Sequence, residues 1–325
     1  MTTQPAFGLD REILDFIEKT NAHYPEDAAS LDAAGQRKVY NAMCRAFDVP
    51  ISDEVAIYDD FIDRDESGRD GTQHPTNPVP VRCYSPPKPL SGTLVLYMHG
   101  GGFVVGGLES HHSVCAELCL ASGCDLISVD YRLAPEHIHP AQFEDCLAAF
   151  HHYSSTYDRI VVVGDSAGGN LAAALCVSLQ NSPDKPIGAV LIYPGLGGDQ
   201  LDLPSYSQMA EAPMLTLADV HLFHALWHGG EQAKGDPISA PLCADDLSGH
   251  PPTAIFSAAI DPLRDDGDVY AGQLRDQGVI ANCQVQAGLV HGYLRARRSS
   301  SKAAAGFDKI CGAVRQLVET GTLPD

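Results

Sequence analysis

Arg159-Ile160-Val161-Val162-Val163-Gly164-Asp165-Ser166-Ala167-Gly168-Gly169-Asn170 is a β-branched run that stops at a glycine and restarts as a helix-forming one. Residues 160–163 have the makeup and length of a buried strand, and residues 170–180 follow with a helical pattern. Between them stands Ser166, with Gly164 and Gly168 two residues away on either side. That pattern is a nucleophile elbow, a strand-to-helix turn that presents a serine. In so tight a turn the flanking side chains would collide, hence the glycines. The helix start beside Ser166 offers unpaired N–H groups and a positive dipole end to negative charge developing there. The competing view of this stretch alone is an ordinary crossover with small turn residues. The rest of the chain has to discriminate between the two.

A chain of 325 residues can bury a large core, as one α/β domain or as a domain with a lid. Its 42 acidic residues against 21 basic ones give a formal net charge of −21. Such a charge repels phosphate backbones and anionic membranes, so neither nucleic acid nor membrane is an expected partner. The first 15 residues carry Asp10, Arg11, Glu12 and Asp15 and no apolar run, so no signal peptide is expected. No apolar stretch reaches the length of a membrane span. Of the ten cysteines, Cys146, Cys176 and Cys311 fall in helix-like apolar patterns, which suits reduced core thiols in the cytoplasm. Cys115, Cys119 and Cys124 lie close together, but their spacing matches no zinc module, and no metal is expected.

In chain order, residues 9–48 read as two amphipathic helices with Pro25 in the break. Ile13, Phe16 and Ile17 give one apolar face; Val39, Met43 and Phe47 give the other. Strands are expected at 53–63 and 79–84, separated by a polar, turn-rich stretch at 65–78. A buried strand at 93–98 runs into His99-Gly100-Gly101-Gly102-Phe103. A helix near 110–121, a strand at 125–131, a helix near 142–153 and the elbow strand follow. The next strand is expected at 187–193. From 194 to about 228 the rhythm breaks, with a helix near 217–227, which reads as an insertion over the sheet's C-terminal edge. The last elements are a strand at 253–260, a helix at 268–277, a strand at 282–286 and a helix at 301–318. Strands alternating with helices make this an α/β chain with a mostly parallel sheet covered on both faces. The expected domains are N-terminal helices in residues 1–50 contributing to a cap, and a catalytic domain in 51–325 with its cap insertion at about 195–230.

Three glycines after a buried strand let the backbone approach a substrate and turn its N–H groups inward. His99-Gly100-Gly101-Gly102 has the HGGG form of a lipase or esterase oxyanion hole. The expected donors are the N–H groups of Gly101, Gly102 and Ala167. A phosphate loop is the rival, but no Gly-Lys-Ser/Thr follows and Phe103-Val104-Val105 is apolar. A serine nucleophile needs a neutral imidazole, and the imidazole a buried carboxylate. After Ser166 come Asp261, at a strand's C-terminal end, and His291, in a post-strand loop, which is the order such a triad takes. Asp265 and Asp266 compete for the acid's role from a helix start, where acidic residues are common caps. Asp165 is too close to Ser166 along the chain to orient a distant histidine. His99 reads as a structural hydrogen-bonder.

At this point the chain resembles the hormone-sensitive-lipase-like carboxylesterases, the GDSAG branch of the bacterial α/β-hydrolases. The matching residues are His99-Gly-Gly-Gly-Phe103, Asp130-Tyr-Arg-Leu-Ala-Pro-Glu136 with Pro140-Ala141, and Gly164-Asp-Ser-Ala-Gly-Gly169. Asp261-Pro-Leu-Arg-Asp-Asp-Gly267 and His291-Gly-Tyr293 complete the set. The resemblance implies Ser166 as nucleophile, Asp261 as triad acid and His291 as base. It also implies a helical cap, a homodimer, no cofactor, and small acyl esters of short chain as substrates. Phe103, Asp165 and Tyr293 are expected around the pocket, with Asp165 and Glu136 serving structure. Two features depart from the family pattern. Tyr293 stands where the family usually has Phe, and residues 194–199 are unusually rich in glycine. An amidase, arylformamidase or lactonase on the same machinery, or a non-catalytic receptor of this fold, are the alternatives.

Overall fold

The computed structural model describes residues 7–28, 31–63, 78–230 and 234–323. Two helices, α1 (Arg11–Asn21) and α2 (Ala33–Ala46), precede an eight-stranded sheet. The strands are β1 (Ala56–Ile62), β2 (Val79–Ser85), β3 (Thr93–Met98), β4 (Asp125–Val129), β5 (Arg159–Asp165), β6 (Gly188–Ile192), β7 (Thr253–Ile260) and β8 (Ala281–Val290). Their spatial order is β1-β2-β4-β3-β5-β6-β7-β8. Only the β1–β2 and β2–β4 pairs are antiparallel; the other five pairs are parallel. The interposed helices are α3 (His112–Ser122), α4 (Ala141–Ser154), α5 (Ala167–Leu179), α6 (Pro204–Gln208), α7 (Leu217–His228), α8 (Arg264–Asp276) and α9 (Ser301–Thr320).

Side chains alternate across a strand, so an apolar strand in the middle of this sheet serves two cores at once. Val95, Tyr97, Val161 and Val163 face one layer, packed with α3 and α9 through Leu118, Phe307, Ile310 and Val314. Leu94, Leu96, Met98, Ile160 and Val162 face the other, against Phe150 of α4, Leu171 of α5 and Tyr270 of α8. Every residue of β3 is buried. Ile13, Phe16, Met43 and Phe47 of the N-terminal helices join the first of these cores.

Several boundaries differ from the sequence expectations. The stretch 65–77 lies outside the described residues. Helix α8 begins at Arg264, four residues before the expected start. Asp265 and Asp266 occupy its first turn. Gly267, inside this first stretch of α8, is a close-approach glycine, since a Cβ there would lie 2.4 Å from Ser257 Oγ. Strand β4 ends at Val129 because Tyr131 leaves the sheet and stacks on His99, ring centroids 4.2 Å apart. The five-residue α6 falls within a segment that reads as loop.

Candidate active site

Strand β5 ends at Asp165 and α5 starts at Ala167, so Ser166 alone makes the turn, with φ 54° and ψ −117°. A non-glycine residue there is strained by roughly 1–3 kcal/mol and persists only where its surroundings fix it. The glycines explain how the turn closes. A Cβ on Gly164 would lie 2.1 Å from the Gly168 carbonyl oxygen, and one on Gly168 would lie 2.0 Å from that of Met98. The Ser166 N–H is held by the Ile192 carbonyl of β6 at 2.8 Å.

A bulge brings the other two residues together. Ala258 pairs with Gln286, but two residues later Ile260 pairs with Val290, four residues on. The extra residues in β8 include Gly288 at φ 72°, the left-handed conformation that such an irregularity needs and glycine supplies. With Ile260 opposite Val290, the next residue of each strand leaves the sheet side by side. Those residues are Asp261 and His291. His291 Nδ1 lies 2.7 Å from Asp261 Oδ2, and His291 Nε2 lies 2.9 Å from Ser166 Oγ. Asp261 is fully buried, and its Oδ1 accepts the Leu263 N–H at 2.9 Å. A carboxylate can only accept, so Nδ1 carries the proton and Nε2 is left to accept from the serine hydroxyl.

The loop after β3 forms the facing wall. Asp165 anchors it: its carboxylate accepts the Gly100 N–H at 2.8 Å and the Tyr97 hydroxyl at 2.7 Å. His111 Nε2 and the Tyr193 hydroxyl each lie 3.3 Å from the same group. Burial alone would raise the Asp165 carboxyl, but His111 and the Tyr97 hydrogen bond outweigh it and hold it below the usual carboxylate range. Gly101 at φ 128° and Gly102 at φ 59° then turn the chain. Among the described residues no protein acceptor meets the N–H of Gly101, Gly102 or Ala167. Unpaired donors beside the serine are what a developing oxyanion requires. His99 is buried, its Nδ1 lies 2.8 Å from the Gly100 carbonyl, and burial and then His111 push it down to about 3. It stays neutral and structural.

The structure thus brings Ser166, Asp261 and His291 together in one hydrogen-bonded chain, and sets other expected residues apart. Asp165 is 2 % exposed and committed to protein partners, which suits the structural part of its expected role. Tyr293 is fully buried edge-on to Tyr193, whose ring in turn sits 4.8 Å from that of His291. Phe103, at φ 63°, stacks on Trp227 of α7 rather than standing free. Asp265 and Asp266 face away from His291; they receive the N–H groups of Ser205, Leu196 and Gly198 and so fold the segment after β6. Sequence reasoning missed Phe223, whose ring a Cβ on Gly102 would meet at 2.5 Å, and it missed Tyr40 and Arg295. These contacts join distant segments, and no local pattern announces them.

Residues 95–295 match the family model of the α/β hydrolase fold, more than half of the chain. The chain belongs to the α/β-hydrolases. Its place within them is the hormone-sensitive-lipase-like carboxylesterase branch. It is 33 % identical over 301 residues to the carboxylic ester hydrolase LipN of Mycobacterium tuberculosis, covering 87 % of this chain and 76 % of that one. It is 32 % identical over 250 residues to the ethyl acetate hydrolase of Pseudomonas putida, covering 73 % and 78 %. Among solved structures, an esterase from the bacterial hormone-sensitive lipase family superposes with a TM-score of 0.81 at 26 % identity, over 98 % of this chain and 100 % of that one. The ester-hydrolase EH1AB1 from the metagenome of Lake Arreo, in complex with a bipyridine phosphonate derivative, gives 0.85 at 29 % identity, over 96 % and 100 %.

Proposed function

We propose that this α/β-hydrolase is a serine carboxylesterase with Ser166 as nucleophile, His291 as general base and Asp261 as the acid that orients it. One observation carries the proposal: the hydrogen-bonded chain from Ser166 Oγ through His291 to Asp261, beside N–H groups with no protein partner. The relatives named as ester hydrolases support the reaction class.

Ser166 Oγ attacks the ester carbonyl carbon while its proton passes to His291 Nε2. The carbonyl oxygen takes the negative charge and is received by the N–H groups of Gly101, Gly102 and Ala167. His291 returns the proton to the leaving alcohol, and the acyl group remains on Ser166. Water then gives up a proton to His291, attacks the acyl-enzyme and releases the acid.

Residues 1–50 and the insertion at about 195–230 act as a cap that narrows the pocket and favours short acyl chains. Phe223 over Gly102, and Arg37 of α2 bonded to the Val104 carbonyl at 2.8 Å, support that role. A homodimer belongs to the same reading on family grounds, and sedimentation tests it. All ten cysteines are free, which supports a reducing compartment. No helix among the described residues is long and apolar enough to cross a membrane.

The test is the initial rate on p-nitrophenyl acetate, butyrate, octanoate and palmitate, for wild type beside Ser166→Ala. Turnover of the short esters and its loss by several powers of ten in the variant are expected. An inert wild type, or a variant that keeps its rate, overturns the proposal.

A further inference from the structure

The peptide between Ile192 and Tyr193 is held from both sides. Its carbonyl receives the Ser166 N–H at 2.8 Å, and its N–H donates to the Phe256 carbonyl of β7 at 2.7 Å. Strand β6 stops there, and Tyr193 turns away with φ 33°. A bulky aromatic residue with positive φ is an outlier, and such strain persists where the surrounding contacts over-determine it. Tyr193 is 1 % exposed, and its contacts show what the turn achieves. Its ring centroid lies 4.8 Å from that of His291 with the planes tilted by 58°, and its hydroxyl donates to Asp165 Oδ2 at 3.3 Å. Tyr293 backs the same ring edge-on, with centroids 5.1 Å apart.

One side chain therefore touches both the proposed base and the carboxylate that anchors the loop after β3. Asp165 has closer partners in Tyr97 and Gly100, at 2.7 and 2.8 Å, so the Tyr193 hydroxyl is an auxiliary donor there. Burial, and then Asp165, hold the phenol well above its ordinary pKa, and it remains a donor. The contact with His291 is of another kind. Both imidazole nitrogens are engaged, Nδ1 with Asp261 and Nε2 with Ser166, so Tyr193 meets the ring itself. A neutral imidazole gains little from a neighbouring aromatic ring beyond packing. The imidazolium that forms as Ser166 gives up its proton gains more, because a cation within about 6 Å of an aromatic centroid is attracted to its π electrons, most strongly where water is excluded. An interaction that strengthens as the charge forms lowers the barrier without tightening substrate binding.

We propose that Tyr193 is a positioning residue for the acyl transfer, whose strained backbone holds its ring against His291 and stabilises the imidazolium there. The inference rests on the ester-hydrolase proposal and goes beyond its triad and oxyanion donors. Tyr193 is buried, so it acts on the reaction through His291 and not by touching the ester.

The experiment measures kcat and KM on p-nitrophenyl butyrate for wild type, for Tyr193→Phe, and for variants carrying mono-, di- and trifluorinated phenylalanine at the same position. Fluorine withdraws electrons from the π cloud and leaves the ring close to its original size, so packing is matched across the series. Thermal melts confirm the match. Tyr193→Phe is expected to keep kcat within about threefold of wild type, because it loses only the long hydrogen bond to Asp165. Added fluorine should then lower kcat stepwise, by roughly tenfold in all, and leave KM alone, since His291 takes up a proton in both acylation and deacylation. A kcat that stays flat across the fluorinated series overturns the proposal. So does a loss confined to the Tyr193→Phe step, which would place the role in the hydroxyl, or a series that moves KM and not kcat. Inertness of the wild type would overturn the ester-hydrolase proposal and this inference with it, so the wild-type rate tells the two failures apart.

Discussion

The indole of Trp227 lies flat on the ring of Phe103, with centroids 3.6 Å apart and planes 11° from parallel. Phe103 directly follows Gly102, one of the proposed oxyanion donors, and Trp227 belongs to α7, so the stack ties the loop after β3 to that helix. The Trp227 Nε1–H also donates to Gln142 Oε1 at 3.0 Å, which fixes the indole in its plane. Trp227→Ala is expected to cost about 3–5 kcal/mol of stability and to lower kcat more than KM, because the loop carrying the oxyanion donors loses its support. Trp227→Phe should recover most of both. Denaturant melts and steady-state kinetics check this; an alanine variant with unchanged kcat would detach α7 from the chemistry.

The elbow glycines and a helix glycine should respond to alanine with opposite signs. At Gly164 and Gly168 the new methyl meets backbone oxygen at 2.1 and 2.0 Å, and backbone cannot step aside. Either variant is expected to be insoluble or to lose several kcal/mol. Gly312 lies inside α9 with open space around its Cβ position, so Gly312→Ala should stabilise by roughly 0.5–1 kcal/mol. Thermal melts of the three variants decide it.

Arg37 tests how much of a visible ion pair matters. Its guanidinium meets both oxygens of Glu136, at 2.9 and 2.6 Å, and also the carbonyls of Val104 and Ala134. Glu136 is half exposed, so the pair itself contributes at most about 1 kcal/mol. The two carbonyls have no such access to water. Glu136→Gln should therefore be nearly silent, and Arg37→Ala should cost roughly 1–3 kcal/mol and loosen α2. Equal losses in the two variants would assign the effect to the ion pair.

Two buried aspartates give the stability opposite slopes with pH. Burial pushes the Asp266 carboxyl up to about 8, only partly offset by the Leu196 and Gly198 N–H groups and the Tyr206 hydroxyl. The folded state then holds a proton that the unfolded chain releases near 4, so this stabilisation is complete below about pH 4 and fades as pH rises through about 8. Asp165 is held low, so its stabilisation is present above the ordinary carboxylate range and disappears only as pH falls through its depressed value. Relative to wild type, Asp266→Asn should gain stability between pH 4 and 8 by up to about 1.4 kcal/mol per unit. Urea melts across that window check it, and a difference independent of pH would mean that Asp266 is ionised throughout.

What could be read from the sequence follows from how local each cause is. The elbow is written in consecutive residues, because Gly164, Ser166 and Gly168 answer to one tight turn. The parallel sheet is written in its apolar strands, which leave few other ways to bury Val95, Val161 and Val190. Asp261 is legible as a strand-end residue and His291 as a residue of the loop after the last strand, but the bulge at Gly288 that sets them side by side gives no signal beyond one glycine. Asp165 and Tyr293 are expected at the pocket from the resemblance, through the Gly-Asp-Ser-Ala-Gly and His-Gly-Tyr motifs that hold Ser166 and His291. Asp165, next to Ser166, points the opposite way from the serine, and Tyr293 turns inward in the 3-10 turn after Gly292, so both side chains are buried. The start of α8 is four residues earlier than expected, with Gly267 inside the helix because it packs closely against Ser257 of β7. Phe223, Tyr40 and Arg295 depend on α2 and α7 meeting over the sheet, which no short stretch encodes.

The most direct measurement is covalent trapping. The protein is incubated with diethyl p-nitrophenyl phosphate, digested and mapped by mass spectrometry, with His291→Ala and Ser166→Ala alongside. The account requires one diethylphosphoryl group on Ser166, stoichiometric with loss of esterase activity, much slower in His291→Ala and absent in Ser166→Ala. An adduct on another residue, or full inactivation of Ser166→Ala, would contradict it.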